Sequence, residues 1–148
     1  AGARRANTPL YEHIRNVFGL TYKDFRVPTP FLNVFNGGLH ADTNLDMQEF
    51  IIIPHGFTRF ARKLQAGSEI FHALGDVLHA DGLDTDVGNE GGYAPDVGKT
   101  EMALEYLVKA VKKAQATSVT IASPPGIHPT RACERATSLS GVLLSAIM

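Results

Sequence analysis

The chain predicts an α/β fold, and three observations carry that prediction. Apolar spacing of helical period runs from Thr58 to Leu78 and again through "KTEMALEYLVKAVKKAQ". Short apolar runs of strand length, Phe31 to Phe35 and Met47 to Pro54, precede those helices, and a third, "SVTIA", follows them. The order is helix, strand, strand, helix, long loop, helix and a candidate strand, without internal repeat or low-complexity tract.

"TPLYEHIRNVFGL" opens the pattern as a short helix, with Thr8 as N-cap, Pro9 in the first helical position and Gly19 as the C-terminal glycine. "YKDFRVPTP" is an extended connector, because Pro28 and Pro30 disfavour helix. "FLNVF" is a strand ending in the turn Asn36-Gly37-Gly38. In "MQEFIIIP" the run Ile51-Ile52-Ile53 is apolar on both faces, as expected of a strand deep inside a sheet or barrel. Phe60, Leu64, Phe71, Leu74 and Leu78 give the next helix its apolar spacing. A Gly- and Asp-rich connector, "ADGLDTDVGNEGGYAPDVG", leads to the last helix, where Leu104, Leu107, Val108 and Val111 share a face. Glu101 early and Lys112 and Lys113 late suit that helix's dipole. From Ala116 the character changes: two proline breaks follow, no Asp occurs again, and only "LSGVLLSAIM" offers apolar material.

Composition narrows the function classes. A chain of 148 residues, 44% of them apolar, is of single-domain size and can bury a core. Fourteen basic and 15 acidic side chains leave a net charge of −1, which gives no global attraction to nucleic acid or to an anionic membrane. No apolar run approaches the roughly 18 residues that span a bilayer, and "AGARRANTPLYEH" has no signal-peptide apolar region. Cys133 is the only cysteine, so an internal disulfide and a multi-thiolate metal site are excluded and a cytoplasmic setting is expected.

Three polar features fall at strand ends and loops. Glu49, between Met47 and Phe50 and leading into three isoleucines, is expected against apolar surface, where desolvation raises a carboxyl pKa and calls for partners. Strand alternation that turns Glu49 outward to water is the plain alternative. His40 follows a glycine turn through which backbone can approach an anion, although such turns without any ligand are common. Glu90 stands in "DVGNEGGYAP", on permissive backbone, as either a solvated charge or an aimed acid. His72 and His79, seven apart, lack the spacing of a helical metal pair, and the cluster Asp81, Asp84, Asp86 lacks calcium-loop spacing and reads as a solvated loop. Lys112-Lys113 reads as a solvated helix end.

"FLNVFNGGLHADTNLDMQEFIIIPHG", "AGSEIFHALGDVL" and "DVGNEGGYAPD", in this order and spacing, closely resemble the enolase (phosphopyruvate hydratase) family, from about Thr8 to about Ala114. The resemblance implies an incomplete segment of an enolase-type, TIM-like C-terminal barrel. Residues 1–29 would lead from an N-terminal domain, 30–115 open the barrel, and 116–148 form a divergent tail. It implies dehydration of 2-phosphoglycerate to phosphoenolpyruvate, a homodimer, and magnesium as cofactor. By resemblance Glu90 is the proton donor, Glu49 the second carboxylate beside it, and His40 and Gln48 substrate-side residues. No metal ligand is assigned: where the family carries an aspartate after the strand, this chain has Ser123-Pro124-Pro125. Asn89 stands where many enolases have Asp. The isolated chain is therefore expected to be inactive. Two other readings stay open: a non-catalytic product acting through protein binding, and a phosphate-binding module resting only on the glycine turn.

Overall fold

A computed structural model describes residues 1–21, 24–38, 45, 47–116, 118–123 and 143–146. His40, Leu39, His128, Cys133 and the proline breaks of the tail lie outside these residues. The elements are α1 (Gly2–Arg5), α2 (Leu10–Val17), β1 (Leu32–Asn36), β2 (Glu49–Pro54), α3 (Phe60–Ala80), α4 (Thr100–Lys113), β3 (Val119–Ser123) and β4 (Leu143–Ala146). The strands form one sheet in the order β1-β2-β3-β4. β2 runs against both neighbours, and β4 runs parallel to β3. The expected α/β pattern is therefore present, with α1 and β4 added. Among the described residues no helix is long and apolar enough to cross a membrane.

Helix ends follow local chemistry. After α2, Gly19 takes φ +60°, Gly19 N–H reaches Asn16 C=O at 3.4 Å and Leu20 N–H reaches Arg15 C=O at 3.0 Å. This is the Schellman ending expected of a C-terminal glycine. The same pair of bonds closes α4, with Gln115 rather than glycine at φ +52°. The expected Thr8 cap is not formed. α2 has no side-chain cap bond, and Thr8 Oγ1 is buried without a partner among the described residues. Pro9 takes the capping position instead, its ψ of 147° turning the chain and its carbonyl accepting the His13 N–H at 2.9 Å.

The core lies between one sheet face and the helices α3 and α4. Ladder partners share a face, so Leu32, Phe35, Phe50, Ile52, Pro54, Val119 and Ile121 point one way. Phe35, Phe50, Ile52, Val119 and Ile121 on that face are fully buried and pack with Ile70, Leu74, Leu78, Leu107 and Val111 of the helices. Each such side chain contributes about 1.5–3 kcal/mol relative to exposure. All four apolar positions expected on the α4 face are buried. On α3 the buried stripe is Ala66, Gly67, Ile70, Ala73, Leu74 and Leu78, while Phe60 and Leu64 are exposed. The small residues let α3 approach the sheet closely: a side chain at Gly67 would run into Leu32. The first turn of the helix has no such covering.

The opposite sheet face carries Asn33, Asn36, Glu49, Ile51, Ile53, Thr120 and Ala122. β2 is interior to the sheet, as its isoleucines predict, but the two faces differ. Ile52 is fully buried, whereas Ile51 and Ile53 are only half-buried.

Candidate active site

β1 and β3 run in the same direction and β2 opposes them, so the end of β1, the head of β2 and the end of β3 meet at one edge of the sheet. Asn36, Glu49 and Ser123 stand at that edge. Strand C-terminal edges are where barrel enzymes build their sites.

A bulge in β1 shapes this edge. Pairing with β2 shifts between Asn33 and Phe35, so Asn33 faces Ile51 and Asn36 faces Glu49. Residues three apart in a regular strand point to opposite sheet faces, and the extra residue Val34 returns Asn33 and Asn36 to the same one. Their side chains meet: Asn33 Nδ2 donates to Asn36 Oδ1 at 2.7 Å.

The Glu90 segment docks along the free side of β1. Tyr93 N–H donates to Val34 C=O at 3.0 Å, and Asn36 N–H donates to Tyr93 C=O at 2.8 Å. The loop thereby pairs the edge groups that β1 would otherwise leave open. Tyr93 is held from its other side by Phe71, with ring centroids 4.4 Å apart and planes within 8°. Burial, followed by the nearby Asp76 charge, pushes the Tyr93 hydroxyl pKa up. Two side-chain bonds reach the turn itself, from Asn36 Nδ2 to Gly92 C=O at 3.2 Å and from Asn33 Nδ2 to Glu90 C=O at 3.4 Å.

This docking explains the glycines around Glu90. Gly91 turns the chain with φ +89°, a conformation that side chains disfavour. Gly92 lies so close to β1 that a Cβ would stand 2.6 Å from Phe35 N and 2.7 Å from Asn36 Oδ1.

The sequence-predicted residues distribute as follows. Glu49 is half-buried at the head of β2, on the sheet face away from the helices, and is the direct ladder partner of Asn36. Glu90 is exposed, and its backbone is tied to the same corner. Among the described residues, no side chain bonds or pairs with either carboxylate. The partners expected for Glu49 are thus not found on its half-covered face. Gln48 is exposed beside the glycine turn, its carbonyl accepting the Gly37 N–H at 2.9 Å. His40 cannot be placed with them, lying outside the described residues. Asn33 and Asn36 join this corner through their side-chain bonds, although the sequence does not single them out. The only local signal was two asparagines in an otherwise apolar strand.

His72 and His79 are exposed. Asp84 Oδ1 accepts the Asp86 N–H at 2.9 Å in a local turn. Asp81, expected to be merely solvated, accepts the Tyr106 hydroxyl at 2.9 Å. Lys113, expected at a solvated helix end, is exposed there and pairs with Asp76 at 2.9 Å. Among the described residues no three His, Cys, Asp or Glu side chains gather in a way that could hold a metal ion.

The family described as the enolase C-terminal TIM barrel domain matches residues 24–123, so the match includes β3 and passes the 115/116 boundary of the sequence reading. An enolase from Elusimicrobium minutum (strain Pei191) is 41% identical over 122 residues, covering 82% of this chain and 29% of that protein. The chain thus spans about 29% of the length of that curated relative. Matched by the family over about two thirds of its length, this chain belongs to the enolase family, within the C-terminal TIM barrel domain.

Proposed function

We propose that this chain supplies the carboxylate half of an enolase site, one that dehydrates 2-phosphoglycerate to phosphoenolpyruvate. Glu90 donates the proton that lets the hydroxyl leave as water. A base removes the proton next to the substrate carboxylate, and the electron pair of that C–H bond forms the new double bond as the C–O bond breaks. Glu49 is the second carboxylate, at the head of β2 on the sheet face whose asparagines hold the Glu90 turn. Gln48 and His40 lie on the substrate side.

The supporting observation is that one residue, Asn36, touches both arms: it is the ladder partner of Glu49 and bonds the Glu90 loop at Gly92. Magnesium is implied by the family likeness, but the described residues do not fit such an ion by themselves. The 148 residues alone are expected to turn over no substrate.

The test places residues 24–123 into the corresponding segment of the Elusimicrobium minutum enolase. Phosphoenolpyruvate formation is followed by ultraviolet absorbance with magnesium present. The hybrid should be active, and Glu90→Gln should lower kcat by about 10²- to 10⁴-fold, the usual contribution of a general acid. An active hybrid indifferent to Glu90→Gln refutes the assignment. Product formed by the 148-residue chain alone refutes the half-site reading.

A second reading, a non-catalytic product that binds protein, is favoured by exposed apolar residues on α2 and beyond, including Leu10 at 65% and Phe18 at 72% exposure. Failure to co-elute with a full-length enolase on size exclusion counts against it.

A further inference from the structure

We infer that Asn36 is a positioning residue that clasps the Glu90 turn to the sheet. The inference deepens the reading of Glu90 as the acid and rests on it. Asn36 is 5% exposed and uses both ends of its side-chain amide. Its Oδ1 accepts from Asn33 at 2.7 Å, and its Nδ2 donates to the Gly92 carbonyl at 3.2 Å. Asn33 Nδ2, held by that first bond, also reaches the Glu90 carbonyl at 3.4 Å. The two carbonyls that flank Gly91 are thus both tied to β1 through side-chain amides. Gly92 C=O accepts the Gly88 N–H as well, at 2.9 Å, so both of its lone pairs are used.

The fit is tight on the loop side. A Cβ on Gly88 would stand 2.5 Å from Asn36 Nδ2. A short carboxamide supplies an acceptor towards Asn33 and a separate donor towards Gly92, on two different atoms, at the same time. The main-chain pairing at Tyr93 anchors the loop where it leaves the turn, whereas Asn36 acts on the turn that carries the acid. The bulge at Val34 makes this possible by putting both asparagines on the face of Glu49.

Amide hydrogen exchange in the 148-residue chain tests the clasp. In Asn36→Ala the Gly88 and Gly91 amides, bonded to Gly92 C=O and Gly88 C=O, should exchange at least about fivefold faster, as expected for losing one net hydrogen bond locally. Amides at Ile70 and Leu74 in α3 should not change. Unchanged Gly88 and Gly91 exchange overturns the inference, and so does acceleration spread equally over α3. Asn33→Ala, at a partly exposed position, repeats the test where Asn36→Ala does not fold, with the same two outcomes.

The second readout is kinetic, in the segment-swapped enolase. There Asn36→Ala should lower kcat about tenfold or more with KM within about twofold, since a misaimed acid costs rate rather than substrate binding. Loosened exchange with an unchanged kcat also overturns the positioning role. Indifference of the same enzyme to Glu90→Gln sinks the acid assignment instead, while the exchange result still decides whether the clasp exists.

Discussion

Replacing Gly92 by alanine adds a single methyl group where the loop has no room for it. Its Cβ would stand 2.6 Å from Phe35 N, 2.7 Å from Asn36 Oδ1 and 2.9 Å from the Val34 carbonyl carbon. Two of these atoms are backbone, and the third, Asn36 Oδ1, ends a short side chain that is buried and held by hydrogen bonds at both ends. The loop must therefore move off β1. The bonds at stake are Tyr93 N–H to Val34 C=O, Asn36 N–H to Tyr93 C=O, and Asn36 Nδ2 to Gly92 C=O. At about 1 kcal/mol net for each, with part of the strain absorbed by shifting, the expected destabilisation is about 2–4 kcal/mol. Urea unfolding followed by circular dichroism reads this as a lower midpoint with an unchanged slope. Gly91→Ala is the control, because nothing lies within 4 Å of its Cβ and only the φ of +89° is penalised. Its cost should stay near 1–2 kcal/mol. A Gly92→Ala chain within about 0.5 kcal/mol of the parent would show that the loop does not lie against β1, and would refute the reasoning.

Ile52→Ala should cost about 2–5 kcal/mol and Ile53→Ala clearly less, since Ile52 is fully buried under the helices and Ile53 only half-buried; equal losses in urea unfolding would overturn the assignment of faces. Burial first, and then Asp76 for Tyr93 or the Asp81 bond for Tyr106, raises both phenol pKa values above the ordinary 10.0. The neutral phenols therefore stabilise the fold fully below pH 10.0, and that contribution is lost as pH rises through the raised values. Tyrosinate absorbance should show Tyr93 and Tyr106 ionising only above pH 10.0, and Tyr93→Phe should remove one such late step. The Lys113 bond holds the Asp76 carboxyl below its ordinary 3.8, so this pair stabilises above that value and is lost as pH falls through the depressed one. Both partners are exposed, so Lys113→Met should cost little at neutral pH and nothing measurable in high salt.

Period and local chemistry made most elements legible in the sequence. The α4 face is one case, because four apolar positions at helical spacing can only be satisfied on one side of a helix. Gly19 is another, since few other residues accept the left-handed backbone that ends α2. The α3 face was harder: Phe60 and Leu64 fit the spacing but lie beyond the small-residue stripe that lets the helix reach the sheet. Thr8 had the right chemistry for a cap, and the extended turn at Pro9 took the position instead.

The carboxylates divide in the same way. Glu49 and Glu90 stood out from residue type, neighbours and family likeness, all of which are written along the chain. That they share a corner depends on the direction of β2 against β1, on the docking of a segment from beyond α3 along the edge of β1, and on the bulge at Val34. A bulge adds one residue without changing composition or period elsewhere, so nothing local announces it. By itself the sequence determined α2 to α4, β1 to β3, the family likeness and which carboxylates stand out. Only the tertiary structure decided that Asn33 and Asn36 face the same way and that Gly92 leaves no space at β1, because long-range pairing, not local preference, fixes which side chains meet.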